Sequence, residues 1–160
     1  RSPIAFFRSI RAVLITAFST SSSNATLPTS LQVTREGLGV SNSTSGFVLP
    51  LGATMNMSGT ALYEGCVVLF IAQVYGVDLS IASQATLLLL TVFSAIAVAG
   101  IPGGSLPIIA GLLISFDIPA EGLALIIGVD RLLDMARTTV NVGADVVTAT
   151  IVDEQLKAKA

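Results

Sequence analysis

Long stretches of the chain contain no charged residue, and these stretches set the pattern of its hydrophobic positions. Residues 12–34 and 37–63 carry no Asp, Glu, Lys or Arg, and residues 79–116 form a longer run of the same kind. A helix that crosses the hydrocarbon core of a bilayer needs about 20 apolar residues. The pattern therefore predicts an all-α membrane protein. The alternative is a set of four loosely packed core helices with incidental loops.

The longest run, residues 79–116, is too long for one span, because a single helix of that length would reach about 57 Å. Glycine and proline at residues 100–104 interrupt it, since proline lacks a backbone donor and glycine loosens the backbone. The part after the interruption is too short to cross a bilayer. We predict a re-entrant hairpin, in which two half-helices meet at a glycine-rich tip and return to the same side.

The beginning of the chain repeats this arrangement. Residues 4–20 predict a helix, residues 19–24 are a serine-rich polar stretch, and a second short helix is predicted to end near Val33. Irregular backbone at membrane depth is tolerated only where protein buries it or where it lines a watery cavity. Two such tips in one chain indicate a binding site.

Two longer segments complete the pattern: residues 46–75, interrupted at residues 56–60, and residues 119–152, a long helix. Paired broken segments are typical of inverted-repeat transporters. The predicted organisation has four parts: a re-entrant hairpin 1–45, a broken transmembrane helix 46–76, a re-entrant hairpin 77–118 and a transmembrane helix 119–155.

The composition agrees with a membrane location. Of 160 residues, 52% are hydrophobic and 11% are charged, against about 25% charged in a soluble domain. A net charge of -2, without a basic stretch interleaved with aromatics, argues against nucleic-acid binding. The chain has no His and no nucleophile with a convincing base beside it, so we do not expect an enzyme. Its one cysteine, Cys66, lies in an apolar run and is expected to pack there.

The basic residues predict an orientation. Six of the eight lie near predicted ends: Arg1, Arg8, Arg11, Arg35, Lys157 and Lys159. By the positive-inside rule, the base of the first hairpin and the C-terminal tail are cytoplasmic. The base of the second hairpin is then external, and the two tips point at each other. Because the chain starts at Arg1 without an initiator Met, we interpret it as a piece of a longer protein.

Polar residues recur at spacings of four, seven and four along the last predicted helix: Asp130, Asp134, Asn141 and Asp145. These spacings return to one helical face, which Thr138 shares and Arg137 borders. Ionised groups inside a membrane segment are costly and by default indicate a functional site. The alternative is a structural ion pair, either Asp134 with Arg137 or Asp130 with Arg131. We expect Asp130 to support the site and not to bind a ligand.

The side-chain chemistry predicts the kind of ligand. Arg137 offers a fork of donors that suits a carboxylate, and Asp134 suits an ammonium group. The start of a half-helix near Ser22 and Ser23 presents free N–H groups, which suit a main-chain carboxylate. Together these groups describe an amino acid with an acidic side chain.

A cation is expected beside this amino acid. Asp145 is a hard oxygen ligand, and unwound carbonyls near Gly52, Asn56 and Asn141 would complete a site for Na⁺. The sequence therefore predicts transport of an acidic amino acid together with sodium.

Four motifs resemble the dicarboxylate/amino acid:cation symporter family, the glutamate transporters. They are SSSNATLP at 21–28, LPLGATMNMSGTALY at 49–63, AGIPGG at 99–104 and DMARTTVN at 134–141 within the helix segment 130–145. They resemble, in order, its first hairpin tip, its broken seventh helix, its second hairpin tip and its eighth helix. The match covers nearly the whole chain and corresponds to the C-terminal transport core, without the trimerising scaffold helices that precede it.

The resemblance implies one substrate site and two sodium sites. The substrate site would comprise Ser22, Ser23, Gly100, Asp134, Arg137, Thr138 and Asn141. The first sodium site would comprise Gly52, Asn56, Asn141 and Asp145. The second would use backbone carbonyls of Thr54, Ala95, Ile96 and Val98, closed by the second hairpin as an outer gate.

The resemblance further implies an elevator mechanism, a homotrimeric full-length protein and a lipid environment, expected to be the cell membrane and specifically a bacterial inner membrane. Two positions depart from the family. Ser58 stands where the family has an Asp of a third sodium site, so fewer sodium ions, or protons, would be coupled. In Val142-Gly-Ala-Asp145, an Ala stands immediately before the Asp, where the family usually has Gly.

Alternatives within transport are proton coupling and a carrier for C4-dicarboxylates or neutral amino acids. Alternatives outside it are an anion-conducting channel module and a membrane scaffold fragment that does not transport.

Overall fold

The computed structural model describes residues 2–98 and 100–159, and this part of the chain is helical without strands. Arg1, one of the predicted cytoplasmic markers, and Ala99, the first residue of the second tip motif, lie outside the described residues. So does the last residue of the predicted range 1–160.

Eight α-helices account for most of the described chain: α1 Pro3–Ser9, α2 Arg11–Thr20, α3 Ser23–Gln32, α4 Asn42–Met55, α5 Ser58–Val74, α6 Ile81–Ala97, α7 Leu106–Ser115 and α8 Ala124–Lys157. A π-helical turn, Val33–Gly37, extends α3, and a 3-10 turn, Ala120–Leu123, precedes α8. The division into two re-entrant hairpins and two transmembrane helices stays a prediction.

The first tip interrupts the helix where the serines predicted it. Ser21 adopts a left-handed conformation with φ of 49° and ends α2. Ser22 is the N-cap residue of α3. Its side chain accepts a hydrogen bond from the backbone of Ala25 at 3.2 Å, a favoured way to satisfy a free N–H of the first turn. The predicted single helix 4–20 is wrong: the chain bends by 57° at Ile10, between α1 and α2.

The break in the second segment is shorter than predicted. The sequence placed it at residues 56–60, but α4 ends at Met55 and α5 begins at Ser58, which leaves Asn56 and Met57 between the two helices. The first turn of α5 forms because a side chain on α8, Asn141, accepts hydrogen bonds from its backbone. That partner is distant in sequence and was not foreseen.

The second tip lies between α6 and α7, so the helix is interrupted where glycine and proline predicted it. The tip turns through Gly103, which has a φ of 73°, a backbone conformation that glycine adopts without steric cost. That its two half-helices return to the same side of a membrane stays a prediction.

The long helix α8 organises the fold and would extend about 51 Å. It packs against α2, α4 and α5. One apolar cluster, around Ile71 and Ile109, joins α5, α6 and α7 near the beginning of α8. Another, around Val13, Leu49 and Val146, joins α2, α4 and the second half of α8. The polar side chains of α8 lie in the middle of the helix, between these two clusters.

The base of the first hairpin is tied to the end of α8. Asp153 accepts a hydrogen bond from the backbone of Ser41 at 3.1 Å and pairs with Lys157 at 2.6 Å. Lys157 also donates to the carbonyl of Gly39 at 3.2 Å. These contacts fix the start of α4 relative to α8 and so help to position the polar cluster.

By length and apolar content, the stretch Asn42–Val74, which comprises α4, the short break and α5, is the one candidate for a membrane span among the described residues. The bent pair α1 and α2 could form a second span. The helices α6 and α7 are apolar but shorter. Large apolar side chains such as Leu88, Phe93 and Leu132 are exposed on the outer faces of α6 and α8. Cys66 is also exposed, so the expectation that it packs inside is wrong.

Candidate functional site

The polar face predicted for α8 is buried. Its members are 2–7% exposed: Asp130, Asp134, Arg137, Thr138, Asn141 and Asp145. Buried charges require partners, so the contacts of this face indicate what it can bind.

Arg137 is held on three sides. Its Nε donates to Asp134 Oδ1 at 2.9 Å, and its Nη1 lies 3.5 Å from Asp130 Oδ1. The guanidinium carbon lies 4.3 Å from the centre of the Tyr63 ring, a cation–π contact. Tyr63 in turn donates its hydroxyl proton to Asp130 Oδ1 at 2.7 Å. Asp130 therefore orients Arg137 and Tyr63, the supporting position expected for it.

The outer end of the guanidinium lacks hydrogen bonds. Among the described residues, neither Nη1 nor Nη2 of Arg137 has a hydrogen-bond partner, although the side chain is 5% exposed. Leaving buried donors unpaired is costly, and a carboxylate is the group that can accept from both nitrogens at once. The predicted ion pair of Arg137 with Asp134 is present, formed by Nε and not by the two outer nitrogens. The alternative pairing of Asp130 with Arg131 is wrong, because Asp130 faces Arg137 and Arg131 is exposed.

The two helix tips meet over this group. Ser22 Oγ of the first tip donates to the carbonyl of Gly100 in the second tip at 2.7 Å. Gly103 of the second tip donates its N–H to Asp134 Oδ2 at 2.9 Å. Both carboxylate oxygens of Asp134 are thus engaged, one by Arg137 and the other by the second tip.

A cavity of about 10 Å³ remains beneath the tips, which is about enough for one water molecule. It is lined by six of the seven predicted substrate residues: Ser23, Gly100, Asp134, Arg137, Thr138 and Asn141. The seventh, Ser22, lies beside it and joins the two tips. A cavity of this size has no room for a ligand larger than water.

Six further lining residues were not among the predicted site residues: Ser21, Met57, Thr60, Ile101, Gly104 and Ser105. Each lies next to a break in a helix, so proximity to the tip and break motifs was the available signal. Ser21 and Ser105 are 1% exposed, and their hydroxyls have no partner among the described residues.

The first predicted sodium site is partly assembled around Asp145. Asn56 Nδ2 donates to Asp145 Oδ1 at 2.7 Å. A Cβ atom at Gly52 would overlap the Asp145 carboxylate, so the glycine is what lets the carboxylate approach the backbone of α4. The structure therefore brings Gly52, Asn56 and Asp145 together.

Asn141, the fourth predicted ligand of that site, faces the start of α5. Its Oδ1 accepts from the backbone N–H of Gly59 at 2.7 Å and of Thr60 at 3.4 Å. Its Nδ2 donates to Thr60 Oγ1 at 3.0 Å and to Met57 Sδ at 3.3 Å. The side chain thus holds the break between α4 and α5 in place, one helical turn from Asp145.

The donor chemistry around Asp145 fits a hard cation, because a carboxylate and backbone carbonyls offer oxygen ligands. Among the described residues, no three His, Cys, Asp or Glu side chains converge, so carbonyl and amide oxygens would have to supply most ligands. Asn56 would contribute its backbone carbonyl, because its side-chain Nδ2 donates to Asp145 Oδ1.

The second predicted sodium site lies where two half-helices end. Thr54 is in the last turn of α4, and Ala95 and Ile96 are in the last turn of α6. Carbonyls in a last turn lack intrahelical partners and carry the negative end of the helix dipole. The side chains of Ala95 and Val98 are buried against Met57, whereas those of Thr54 and Ile96 are exposed. Ala95, Ile96 and Val98 have no side-chain oxygen, so at these positions only backbone oxygens can act.

One buried carboxylate was missed altogether. Glu64 on α5 is 0% exposed, its Oε2 accepts from Ser94 Oγ at 2.6 Å, and its Oε1 has no partner among the described residues. The available signal was that Glu64 ends the charge-free run 37–63 in the middle of an apolar segment.

The two departures from the family have modest local consequences. Ser58 is exposed in the first turn of α5. Ala144, which stands where the family usually has Gly, continues α8 without interruption up to Asp145.

Residues 1–155 match the Sodium:dicarboxylate symporter family. With its buried polar helix, its paired broken helices and this match, the chain belongs to that family. The resemblance drawn from the four motifs is confirmed.

Curated relatives agree with this assignment. The chain is 42% identical over 153 residues to Excitatory amino acid transporter 4 of Rattus norvegicus, which covers 96% of the chain and 27% of the relative. It is 40% identical over 149 residues to the Proton/sodium-glutamate symport protein of Bacillus subtilis (strain 168), covering 93% of the chain and 34% of the relative. The chain thus spans about a third of the length of these relatives.

Proposed function

We propose that the full-length protein is a secondary active transporter that carries an acidic amino acid across a membrane together with Na⁺. The observation that carries this proposal is the buried end of Arg137, a residue that lines the cavity and whose Nη1 and Nη2 lack hydrogen-bond partners among the described residues. A side-chain carboxylate would satisfy both nitrogens. The names of the relatives, an excitatory amino acid transporter and a glutamate symporter, agree with such a substrate.

The remaining groups of the cavity fit the main-chain part of an amino acid. Asp134 would bind the ammonium group. The backbone N–H of Gly103, which donates to Asp134 Oδ2, would give up this hydrogen bond or share the oxygen with the ammonium group as the second tip opens and closes. The start of α3 at Ser23 would bind the main-chain carboxylate through free N–H groups. We expect Ser22 and Gly100 to hold the tips together, and Thr138 and Asn141 to assist at the substrate.

Charge balance supports coupling to a cation. Asp130 and Asp134 pair with one buried guanidinium, Arg137, whereas the buried carboxylate of Asp145 contacts Asn56 and has no cationic partner among the described residues. An acidic amino acid would add further negative charge. Uncompensated charge is expensive in a membrane interior. Sodium at the Asp145 site, and at the helix ends near Thr54 and Ala95, would neutralise it, so substrate and cation would bind together.

The membrane arrangement belongs to the same proposal. The pairs α2–α3 and α6–α7 would be re-entrant hairpins with tips meeting at the site, with the base of the first hairpin cytoplasmic. The exposed apolar faces would meet lipid or the scaffold helices of a homotrimer, against which the core moves as an elevator. A bacterial inner membrane stays a prediction, since the relatives include animal and bacterial proteins.

Uptake into liposomes tests the proposal. The full-length protein, reconstituted into liposomes, should accumulate aspartate or glutamate when an inward sodium gradient is imposed, and not when potassium replaces sodium. Competition by succinate and by serine separates amino acid transport from dicarboxylate and neutral amino acid transport. Steady anion current without uptake would favour a channel, and the absence of sodium and amino acid binding would favour a scaffold.

Proton coupling is a second candidate, and Glu64 is the observation that favours it. An ionised carboxylate with one unpaired oxygen is costly at 0% exposure, so the group is expected to carry a proton in part of the cycle. The exposed Ser58, where the family has an Asp, removes a cation ligand and is compatible with fewer sodium ions. The Bacillus subtilis relative is named as a proton/sodium symporter.

Replacing Glu64 with Gln tests this candidate. If Glu64 carries a proton, an inward proton gradient at equal sodium should stimulate uptake by the parent protein but not by Glu64→Gln, because the amide cannot release a proton. The measurement is initial aspartate uptake into liposomes with an acidic outside. Glu121→Gln, at an exposed position before α8, is the matched control. Equal stimulation of parent and Glu64→Gln would exclude Glu64 as the proton carrier.

A further inference from the structure

A side-chain hydrogen bond joins Glu64 on α5 to the helix that leads into the second tip. Ser94 lies near the end of α6, is partly buried, and has its Oγ 2.6 Å from Glu64 Oε2. The same Oγ is 3.0 Å from the carbonyl oxygen of Thr91, one turn earlier in α6. A serine hydroxyl carries one proton, although it can accept through two lone pairs. Ser94 therefore donates a well-aligned hydrogen bond to only one of these two oxygens at a time.

The charge state of Glu64 decides which oxygen accepts. If Glu64 is ionised, both of its oxygens are acceptors only, so Ser94 donates to Oε2. If Oε2 carries a proton, Glu64 can donate it to Ser94 Oγ, and Ser94 is free to donate to the Thr91 carbonyl. The neutral form also leaves Oε1, which has no partner among the described residues, as an uncharged carbonyl oxygen. An unpaired uncharged oxygen costs less than an unpaired charged one.

The charged groups around Glu64 do not supply a counter-ion. The helices α6 and α7 pack on α5 and contain no charged side chain, and Glu64 is the one charged residue of α5 itself. The neighbouring Tyr63 donates to Asp130. On α8, Arg137 pairs with Asp130 and Asp134. A buried carboxylate without a charged partner is costly, so the ionised form depends on the hydroxyl that donates to it.

We propose that Ser94 is a positioning residue for the proton that Glu64 carries. This inference rests on proton coupling, the second candidate function, and assigns the residue that helps to hold the proton and to release it. In the protonated state, Glu64 Oε2 donates to Ser94 Oγ, which donates to the Thr91 carbonyl. On release, the O–H bond of Glu64 breaks, its electron pair stays on Oε2 and the proton passes to water. The Ser94 hydroxyl then turns and donates to the carboxylate.

The side chain at position 94 therefore sets how tightly Glu64 holds its proton. A hydroxyl stabilises both forms, but it stabilises the ionised form more, because hydrogen bonds to charged groups are the stronger ones. An apolar side chain at the same place would favour retention of the proton. Since Ser94 belongs to the first arm of the second tip, the proton is held between this arm and α5.

Ser94→Ala in the reconstituted full-length protein tests the inference. The variant should hold the proton more tightly, so the pH of half-maximal proton stimulation should rise by about one unit, a tenfold change in proton affinity. The measurement is initial aspartate uptake at equal sodium as a function of the outside pH. Thr86→Ala is the matched control and should leave this pH unchanged, because Thr86 is exposed on the same helix and donates to the carbonyl of Ala82.

Two further comparisons separate proton positioning from packing. Ser94→Thr keeps a hydroxyl and Ser94→Val has nearly the same shape without one, so the Val variant should show the higher pH of half-maximal stimulation. This pair decides the question if Ser94→Ala does not reach the membrane. Adding Ser94→Ala to Glu64→Gln should leave the pH profile of Glu64→Gln unchanged, because the amide carries no proton to position.

The outcomes distinguish the inference from the function on which it rests. The same pH of half-maximal stimulation in the parent and in Ser94→Ala, or in the Thr and Val variants, overturns the role of Ser94. Proton coupling through Glu64 then still stands if Glu64→Gln abolishes the stimulation. A parent whose sodium-driven uptake is not stimulated by an inward proton gradient overturns both.

Discussion

Replacing Arg137 with Cys should lower the uptake of aspartate about 30-fold or more, because losing one member of a buried charge pair costs roughly 2–5 kcal/mol. Neutral amino acids should become relatively better substrates, since the open nitrogens that require a carboxylate are removed. The measurement is the initial uptake rate into liposomes as a function of aspartate and of serine concentration, at a fixed sodium gradient.

Two further variants keep this test interpretable. Arg137→Cys also removes the partner of Asp130 and Asp134, so loss of folding could imitate loss of recognition. Arg137→Lys keeps the charge without the planar fork and should still weaken aspartate binding in protein that reaches the membrane. Arg131→Cys removes an exposed arginine from the same helix and should leave the uptake of both aspartate and serine unchanged. Unchanged selectivity in Arg137→Cys would show that Arg137 does not bind the side chain.

Replacing Asp145 with Asn should raise the sodium concentration needed for half-maximal uptake at least about tenfold, as expected when a buried charge loses its partner. The substitution preserves the shape of the side chain and the contact with Asn56 Nδ2, which donates to Asp145 Oδ1 at 2.7 Å. What it removes is the negative charge that would hold the cation. The measurement is a sodium titration of aspartate uptake at saturating aspartate.

Gly52→Ala probes the same site from the backbone. Its added Cβ would overlap the Asp145 carboxylate, so the carboxylate must move and we again expect weaker sodium activation. Asp117→Asn is the matched control, because Asp117 is exposed and has a φ of 56°, a conformation that asparagine tolerates. A sodium titration that is the same for the parent and for Asp145→Asn would exclude Asp145 as a sodium ligand.

The order of helices and breaks could be predicted from the sequence because each depends on local chemistry. Serines at the first tip and glycines with proline at the second disfavour helix wherever they occur. The bend at Ile10 could not be predicted, since residues 4–20 contain no proline or glycine. The length of the break after Met55 also escaped prediction, because Asn141 on α8 stabilises the first turn of α5.

The candidate site was predictable to a similar extent. The period of an α-helix places the polar residues of α8 on one face, and burial of that face is observed. The sequence did not show that Arg137 pairs with Asp130 as well as Asp134, or that Tyr63 lies against it. It also did not single out Ser105 or Glu64, because a lone serine or glutamate carries no periodic signal.

The sequence by itself determined the helical class, the positions of the tips, the polar face of α8 and the family, because these follow from local propensity, periodicity and motif order. Only the tertiary structure decided which groups of that face are satisfied and which remain open. The Nε of Arg137 donates to Asp134, whereas Nη1 and Nη2 have no hydrogen-bond partner among the described residues. Asp134 has both oxygens engaged, and Asn141 is turned towards α5. The physical reason is that hydrogen-bond satisfaction depends on atoms brought together from helices far apart in the chain, and spacing along one helix does not specify them.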